Sequence, residues 1–275
     1  MNVPYLAARV TRHFLPEGMV RFLLRHSLVI RPGLETSHPE AAVQRYAQVL
    51  SERADSLQGK RILVFGYGGR FDIGAALLEA GADSVVLCER FAPPDDEHNQ
   101  ALLPQYGAYL AQNGKEVRPR NAQMSLLQAD IRHVSQGVIE PVDLVISNSV
   151  YEHLDDVEGV TGALAALTRP EGLHIHFVDL RDHFFKYPFE MLHYSRAAWN
   201  GWLNPSSNHN RYRVWDYRRA FDEFFQKVEI TVLERDRAGF QKARRRIRPE
   251  FLSGDPERDS ITLIRVVAWE PGKEQ

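Results

Sequence analysis

One cysteine in 275 residues, Cys88, leaves no partner for an internal disulfide and no thiolate group for a metal. It sits inside the apolar run SVVLC and reads as a small buried hydrophobe in a chain suited to a reducing cytoplasm. Net charge is equally scarce. With 34 Lys and Arg against 36 Asp and Glu, the formal charge is -2, so no whole-molecule field holds a nucleic acid or an anionic membrane, and any contact with a polyanion is local. Long hydrophobic runs are missing too. The stretch MNVPYLAARVTRHFLPEGMVRFLLRHSLVIRPG is broken by Arg9, Arg12, Pro16, Arg21 and Arg25, so it lacks a signal-peptide core, and nothing approaches a spanning helix. The expectation is a soluble, cytoplasmic protein whose residues 1–58 form a helical segment packed on the core or covering it. Met19, Val20, Phe22, Leu23 and Leu24 among the arginines also permit a peripheral helix on a membrane surface or a partner.

What is present is an alternation. Apolar runs rich in β-branched residues recur at Arg61 to Phe65, Ser84 to Cys88, Met124 to Gln128, Val142 to Ser147 and Leu173 to Val178. They are apolar on both alternations, as parallel strands buried on two faces are. Helical patterns lie between them, at Asp72 to Glu79 before Gly81, at Leu102 to Leu110 and at Val157 to Leu167. This predicts an α/β fold, a doubly wound Rossmann-like sheet with helices on both faces. VWDYRRAFDEFF reads as one more amphipathic helix. Val228 to Glu234 and Ser260 to Trp269 read as a late antiparallel pair at a sheet edge, separated by a basic, loop-like insertion. The core domain is expected to span 59–275, with insertions at about 181–213 and 236–259.

In such a sheet, ligands bind beyond the carboxyl end of the first strand. VFGYGGRFDIG occupies that position, and Gly66 and Gly68 allow the backbone to turn tightly against a ligand. Glu89 ends the next strand about twenty residues on, where an acid accepts from both ribose hydroxyls. Glycine turn and acid together indicate a ribose-bearing cofactor. The dinucleotide fingerprint needs a small residue where this chain has Phe71, which counts against a pyrophosphate. Asp130 ends the third run, where its carboxylate can accept from an adenine amino group with Ile131 on the ring; a solvated or helix-capping Asp is the competing reading. DLVISNSVYEHL then follows the fourth strand.

GKRILVFGYGGRFDIGAALLEAGA, VVLCER, LLQADI and PVDLVISNSVYEHLDDVEGVTGALAALTRPEGLHIHFVDL, taken in order, resemble the successive motifs of class I S-adenosylmethionine-dependent methyltransferases over about Gly59 to Leu180. The resemblance implies a seven-stranded, mostly parallel sheet with an antiparallel last strand, and S-adenosyl-L-methionine as cofactor. It places Gly66, Tyr67, Gly68 and Gly69 at the methionine part, Glu89 at the ribose, Asp130 and Ile131 at the adenine, and Ser147, Asn148 and Ser149 on the cofactor's other side. Two positions depart from the pattern: Val64 stands where an acid often holds the cofactor's amino group, and Arg70 enters the turn, where it can meet a carboxylate or an anionic substrate.

Methyl transfer to oxygen needs an in-line arrangement and usually a base, so the acid-base pool lies past the fourth and fifth strands. Glu152, His153, Asp179, Asp182 and His183 are there, with His153 and His183 as candidate bases. His174 and His176, two residues apart in an apolar strand and so on one sheet face, evoke a metal site with Asp179, Asp182 and His183, yet hydrogen-bonded core histidines are the expected state and no metal is assigned. Arg70, Glu152, Asp179, Tyr187, Asn210 and Arg211 are the expected acceptor-side residues, in an aromatic and amide-rich stretch suited to a small-molecule or glycan unit. The basic run Lys242 to Arg248 reads as a solvated face, or as a contact for a phosphate-bearing acceptor; no RNA-binding module accompanies it, which disfavours nucleic acid. The expected function is methyl transfer to a hydroxyl, with an NAD-dependent oxidoreductase or a non-catalytic cofactor-binding accessory protein as alternatives.

Overall fold

The computed structural model describes residues 2–15, 39–135, 137–184, 186–205 and 207–272. The apolar and arginine-rich residues 19–24 lie outside them. Helices α1 (Val3–Phe14) and α2 (Pro39–Ser51) precede β1 (Arg61–Phe65), α3 (Asp72–Glu79) and β2 (Ser84–Glu89). After α4 (Asp96–Ala101) come β3 (Leu110–Asn113), β4 (Glu116–Pro119), β5 (Met124–Gln128) and β6 (Val142–Asn148). The chain ends with α5 (Val157–Ala166), β7 (Thr168–Asp179), α6 (Val214–Asp222), β8 (Phe225–Arg235), α7 (Arg237–Ala243) and β9 (Ile261–Pro271).

Seven strands form one sheet in the order β5-β2-β1-β6-β7-β9-β8, and β3 and β4 form a separate hairpin. The pairs β1/β2, β1/β6, β2/β5 and β6/β7 are parallel, whereas β9 runs antiparallel to both β7 and β8. The side-chain period of two divides the core. Ile62 and Val64 face α2 and α3, while Leu63 and Phe65 face α5 and α6. Edge strand β8 carries Lys227, Glu229, Glu234 and Arg235, which discourages pairing with another sheet. Cys88 is fully buried and burial pushes its thiol up to about 12, the behaviour of a hydrophobe and not of a nucleophile.

Two expectations of local structure change. The pattern over Leu102 to Leu110 is not one helix: Pro104 starts a separate turn at Leu103–Tyr106, and Asn113-Gly114, with Gly114 at φ +63°, turns the chain into the β3/β4 hairpin. The 236–259 insertion is helical in part, and Phe240, Ala243 and Ile247 pack with Phe189, Met191, Leu192, Trp199 and Leu203 in a satellite core. The basic run is therefore anchored by apolar residues while its arginines stay outside, Arg246 near Glu190 and Arg248 against Glu250.

His174 and His176 lie fully buried on the α5/α6 face of β7 and use all four ring nitrogens. Thr168 donates its hydroxyl to the Leu164 carbonyl, so it accepts from His174 Nε2–H (2.8 Å). His174 Nδ1 then accepts from His176 Nε2–H (3.2 Å), and His176 Nδ1 accepts from the Ser147 hydroxyl (2.7 Å). This one-way chain keeps both rings neutral, in line with burial lowering His174 to about 3 and His176 well below its ordinary value. Neither ring has a lone pair for a metal.

Among the described residues no helix is long and apolar enough to cross a membrane. One further buried polar group ties distant elements together. Arg213 is 1% exposed and donates to the carbonyls of Leu180, Asp259 and Ile261, joining the end of β7, the end of the 236–259 insertion and the start of β9. Arg213→Met, which keeps the volume and leaves three buried acceptors unmet, is expected to cost about 3 kcal/mol in urea unfolding followed by circular dichroism.

Candidate active site

The turn after β1 is shaped by three left-handed glycines, Gly66 (φ +77°), Gly68 (φ +67°) and Gly69 (φ +85°). A Cβ on Gly66 would lie 2.5 Å from a Val150 methyl carbon, and one on Gly69 would lie 2.3 Å from the Pro93 carbonyl oxygen. Gly68 differs: no atom lies within 4 Å of its missing Cβ, so the turn opens there. Glu89, at the end of β2, reaches this point. Its Oε2 accepts from Gly68 N–H (3.1 Å) and its Oε1 from the amides of Arg90 and Phe91. Tyr67 is buried and stacks on Phe71, with ring centroids 6.1 Å apart, so both aromatics belong to the core under the turn.

The turn is held from below by a residue that sequence reasoning missed. Asn99, fully buried in α4, accepts from Phe71 N–H and donates to the Gly69 carbonyl, both at 3.0 Å. An isolated Asn in an exposed-looking helix carries no pattern that reveals this. Asn99→Ala leaves the Phe71 N–H without its acceptor, while the Gly69 carbonyl keeps its bond from the Asp95 amide, and is expected to cost about 1 to 2 kcal/mol. Hydrogen exchange at residues 66–71 is expected to speed up in the variant more than exchange in β6.

Asp130 is placed at the end of β5, but its oxygens are occupied. Oδ1 accepts from Arg132 N–H and Nε, Oδ2 pairs with Arg132 Nη2 (2.7 Å) and lies 3.2 Å from Arg90 Nη1. It caps the helical turn Ile131–His133, the competing reading of this position, and Ile131 is buried beside it. Hydrogen bonds from Arg132 lower its pKa to about 2. A depressed acid stabilises the fold fully above its unfolded value near 4 and loses that contribution as pH falls through about 2. The stability gap between wild type and Asp130→Asn is therefore expected to be constant at neutral pH and to close below pH 4, measured by urea unfolding across the range.

The expected cofactor contacts after β6 separate as well. Ser147 is buried and donates to His176, so its hydroxyl faces the core and not a ligand. Asn148 is half-buried near Arg45 of α2, and Ser149 adopts a left-handed φ of +53° while its N–H pairs with the Phe177 carbonyl. Ser149 and the Val150 packed over Gly66 set the direction of the next turn, Tyr151–His153.

At that turn the structure gathers Glu152, His153, His183 and a residue not singled out from sequence, His209. The ring centroids of His153 and His183 are 4.8 Å apart, those of His183 and His209 4.8 Å, and those of His153 and His209 5.7 Å. His153 Nδ1 donates to the Asn208 carbonyl (2.8 Å), which leaves the lone pair on Nε2. His209 Nε2 donates to the Arg181 carbonyl (2.9 Å), which leaves it on Nδ1. Glu152 Oε1 lies 3.8 Å from His183 Nε2. Burial holds His153, His183 and His209 below, and Glu152 well above, their ordinary pKa values. The His-rich SNHNRY stretch was a visible signal for His209.

Four expected acceptor-side residues serve the scaffold instead. Asp179 is nearly fully buried and forks onto Arg181. Asn210 donates to the carbonyls of Tyr151 and Leu154 and accepts from Tyr212 N–H and Tyr217 Oη, so its amide fixes the Glu152 turn. Arg211, also buried, donates to the carbonyls of Met191 and Tyr194. Tyr187 is half-buried with its ring edge against Tyr5 of α1. Arg70 is half-buried at the end of the glycine turn, its N–H donating to the Tyr67 carbonyl. Asp182 is taken up by α1: it accepts from Tyr5 Oη, from Arg9 and from Phe184 N–H, and Arg9 is fully buried against Phe184 and Trp199.

No protein-family model matches the chain, and no curated protein does. Solved structures do. The 1,6-didemethyltoxoflavin-N1-methyltransferase of Burkholderia thailandensis, solved with 1,6-didemethyltoxoflavin and S-adenosylhomocysteine, is similar over 100% of this chain and 92% of its own, at 14% identity and a TM-score of 0.50. The CMeT domain of the citrinin polyketide synthase is similar over 84% of this chain and 53% of its own, at 11% identity and a TM-score of 0.50. The fold is that of the class I methyltransferases. In an open α/β sheet the crevice for a ligand lies beyond the carboxyl ends of the strands, here those of β1, β6 and β7, next to the glycine turn.

Proposed function

We propose that the protein transfers a methyl group from S-adenosylmethionine to a hydroxyl of a small molecule or glycan unit. The observation that carries this reading is the open side of the turn at Gly68 with the Glu89 carboxylate beside it. A carboxylate has about four lone-pair sites. The three backbone amides leave Glu89 about one site, enough for a ribose hydroxyl. Gly66, Gly68 and Gly69 would take the methionine side of the cofactor and Ile131 its adenine side. Asp130 and Ser147 do not fit the roles expected for them, because their oxygens are already engaged. When bound, the cofactor supplies an electrophilic methyl group on sulfur.

The chain's own residues then have to orient an acceptor and take its proton. His153 Nε2 carries a lone pair and is held in place by Asn208, and His183 stands next to it. Either imidazole is a base positioned for a hydroxyl approaching over the Tyr151–His153 turn. The dinucleotide alternative is opposed by Phe71, which is fully buried where a pyrophosphate-binding turn needs a small side chain. The accessory alternative draws support from Val64, buried in the core at the position where an acid would hold the cofactor's amino group.

Isothermal titration with S-adenosylhomocysteine and with NADH tests the reading. Binding of the first and not the second is expected, and Glu89→Ala is expected to weaken it by about 1 to 3 kcal/mol through lost charge-assisted hydrogen bonds. Tight NADH binding alone overturns the assignment. Cofactor binding with no release of S-adenosylhomocysteine from broad acceptor pools favours the accessory protein.

A further inference from the structure

Glu152 presents a problem that the fold alone does not resolve. It is 1% exposed, and neither carboxylate oxygen has a partner at full hydrogen-bond geometry among the described residues, the backbone amides of Glu152 itself and of Asp179 being the weak donors near it. An uncompensated buried polar group of this kind costs on the order of several kcal/mol. Next to it, His209 Nδ1 is buried and equally without a partner.

We propose that Glu152, His153 and His183 bind a divalent first-row transition-metal ion of the zinc or iron(II) kind. One ligand atom from each of the three lies within 4.8 Å of the other two. Ligands of a tetrahedral ion with bonds of about 2.0–2.1 Å are roughly 3.4 Å apart, so the group closes by a contraction on the order of 1 Å. The tautomers suit the task. His153 gives its Nδ1–H to the Asn208 carbonyl, and His209 its Nε2–H to the Arg181 carbonyl. Of the two, His153 belongs to the ligand group, and a backbone carbonyl that holds the far N–H and leaves the other nitrogen to the ion is a usual support of a metal-bound imidazole.

Of the nearby cations, Arg9 and Arg181 are each neutralised by a carboxylate of their own, Asp182 and Asp179, whereas Arg12 also acts on His153 and His183, so the Glu152 carboxylate has to offset its charge for the ion to bind. Two imidazoles and one carboxylate select a transition metal over magnesium or calcium, which prefer oxygen. Three protein ligands leave a coordination position open, with His209 beside it, 4.8 Å from His183 between ring centroids. This binding does not depend on the methyl-transfer reading. Where both hold, a hydroxyl at the open position would be acidified by the ion and would give its proton to a neutral base such as His209, whose Nδ1 keeps a lone pair.

The test uses the full chain, stripped with a chelator and titrated with Co²⁺ followed by absorption and with Zn²⁺ by calorimetry, without a methyl donor. One ion per chain is expected, with the visible bands of a nitrogen- and oxygen-ligated cobalt site. His183→Ala and Glu152→Gln are expected to lower the affinity at least about tenfold. His133→Ala, whose imidazole is 81% exposed, should bind as wild type does. Circular dichroism identifies any variant that does not fold. Glu152→Gln keeps the side chain's shape, so uptake by it equal to that of wild type overturns the proposal whatever the histidine variant does, as does a wild type that takes up no cobalt.

Discussion

The site depends on one buried carboxylate. Asp182, just past the end of β7, receives the hydroxyl of Tyr5, the guanidinium of Arg9 and the amide of Phe184, and through them the first helix is held over the ends of the strands. Such a pair adds little net stability over apolar replacements, because both charges give up water. Its effect is positional. Removing one partner would strand the other charge in the core, so the helix has one place to sit. Tyr5 stacks on Tyr194 and Arg9 lies over Trp199, which joins this helix to the aromatic satellite core. The roof over Glu152 and the histidines is thus assembled from three parts of the chain distant in sequence.

The same logic governs the glycine turn. It is gripped from below by Asn99 and Pro93, from the side by Glu89, and from above by Val150. Val150 is two residues from Glu152. A displacement of the turn is passed by direct packing to the histidine group, so the two halves of the site share one rigid junction.

Much of this was readable from the residues. The seven sheet strands were visible because runs such as RILVF and VDLVIS are apolar on both alternations, and the turn after β1 because glycine alone tolerates its backbone angles. Glu89 was visible because its place is set by strand length. The β3/β4 hairpin was missed although Asn113-Gly114 marks it, since Leu102, Leu103 and Leu110 mimic a helical stripe. Asp130 was read two ways, and the capping role was one of them; the roles of Asp179, Asn210 and Arg211 were not legible. A polar residue at a strand end or in a loop looks the same whether it greets a ligand or ties down a backbone carbonyl, and only its partners tell the two apart. Asn99 and His209 were missed for the converse reason: their partners, Gly69 and Arg181, are thirty and twenty-eight residues away.

The reversed strand β9 has a consequence for where the molecule can vary. Because β8 runs in the direction of β7 and β9 returns against both, the link between β8 and β9 opens at the same end of the sheet as the link that leaves β7. A right-handed helical crossover would have carried that chain to the far end. Both insertions, 181–213 and 236–259, therefore meet over the strand ends and can be lengthened or rewritten together without disturbing a single ladder of the sheet. One antiparallel strand thereby gathers the two insertions at one end of the sheet and leaves the other end to its short connections.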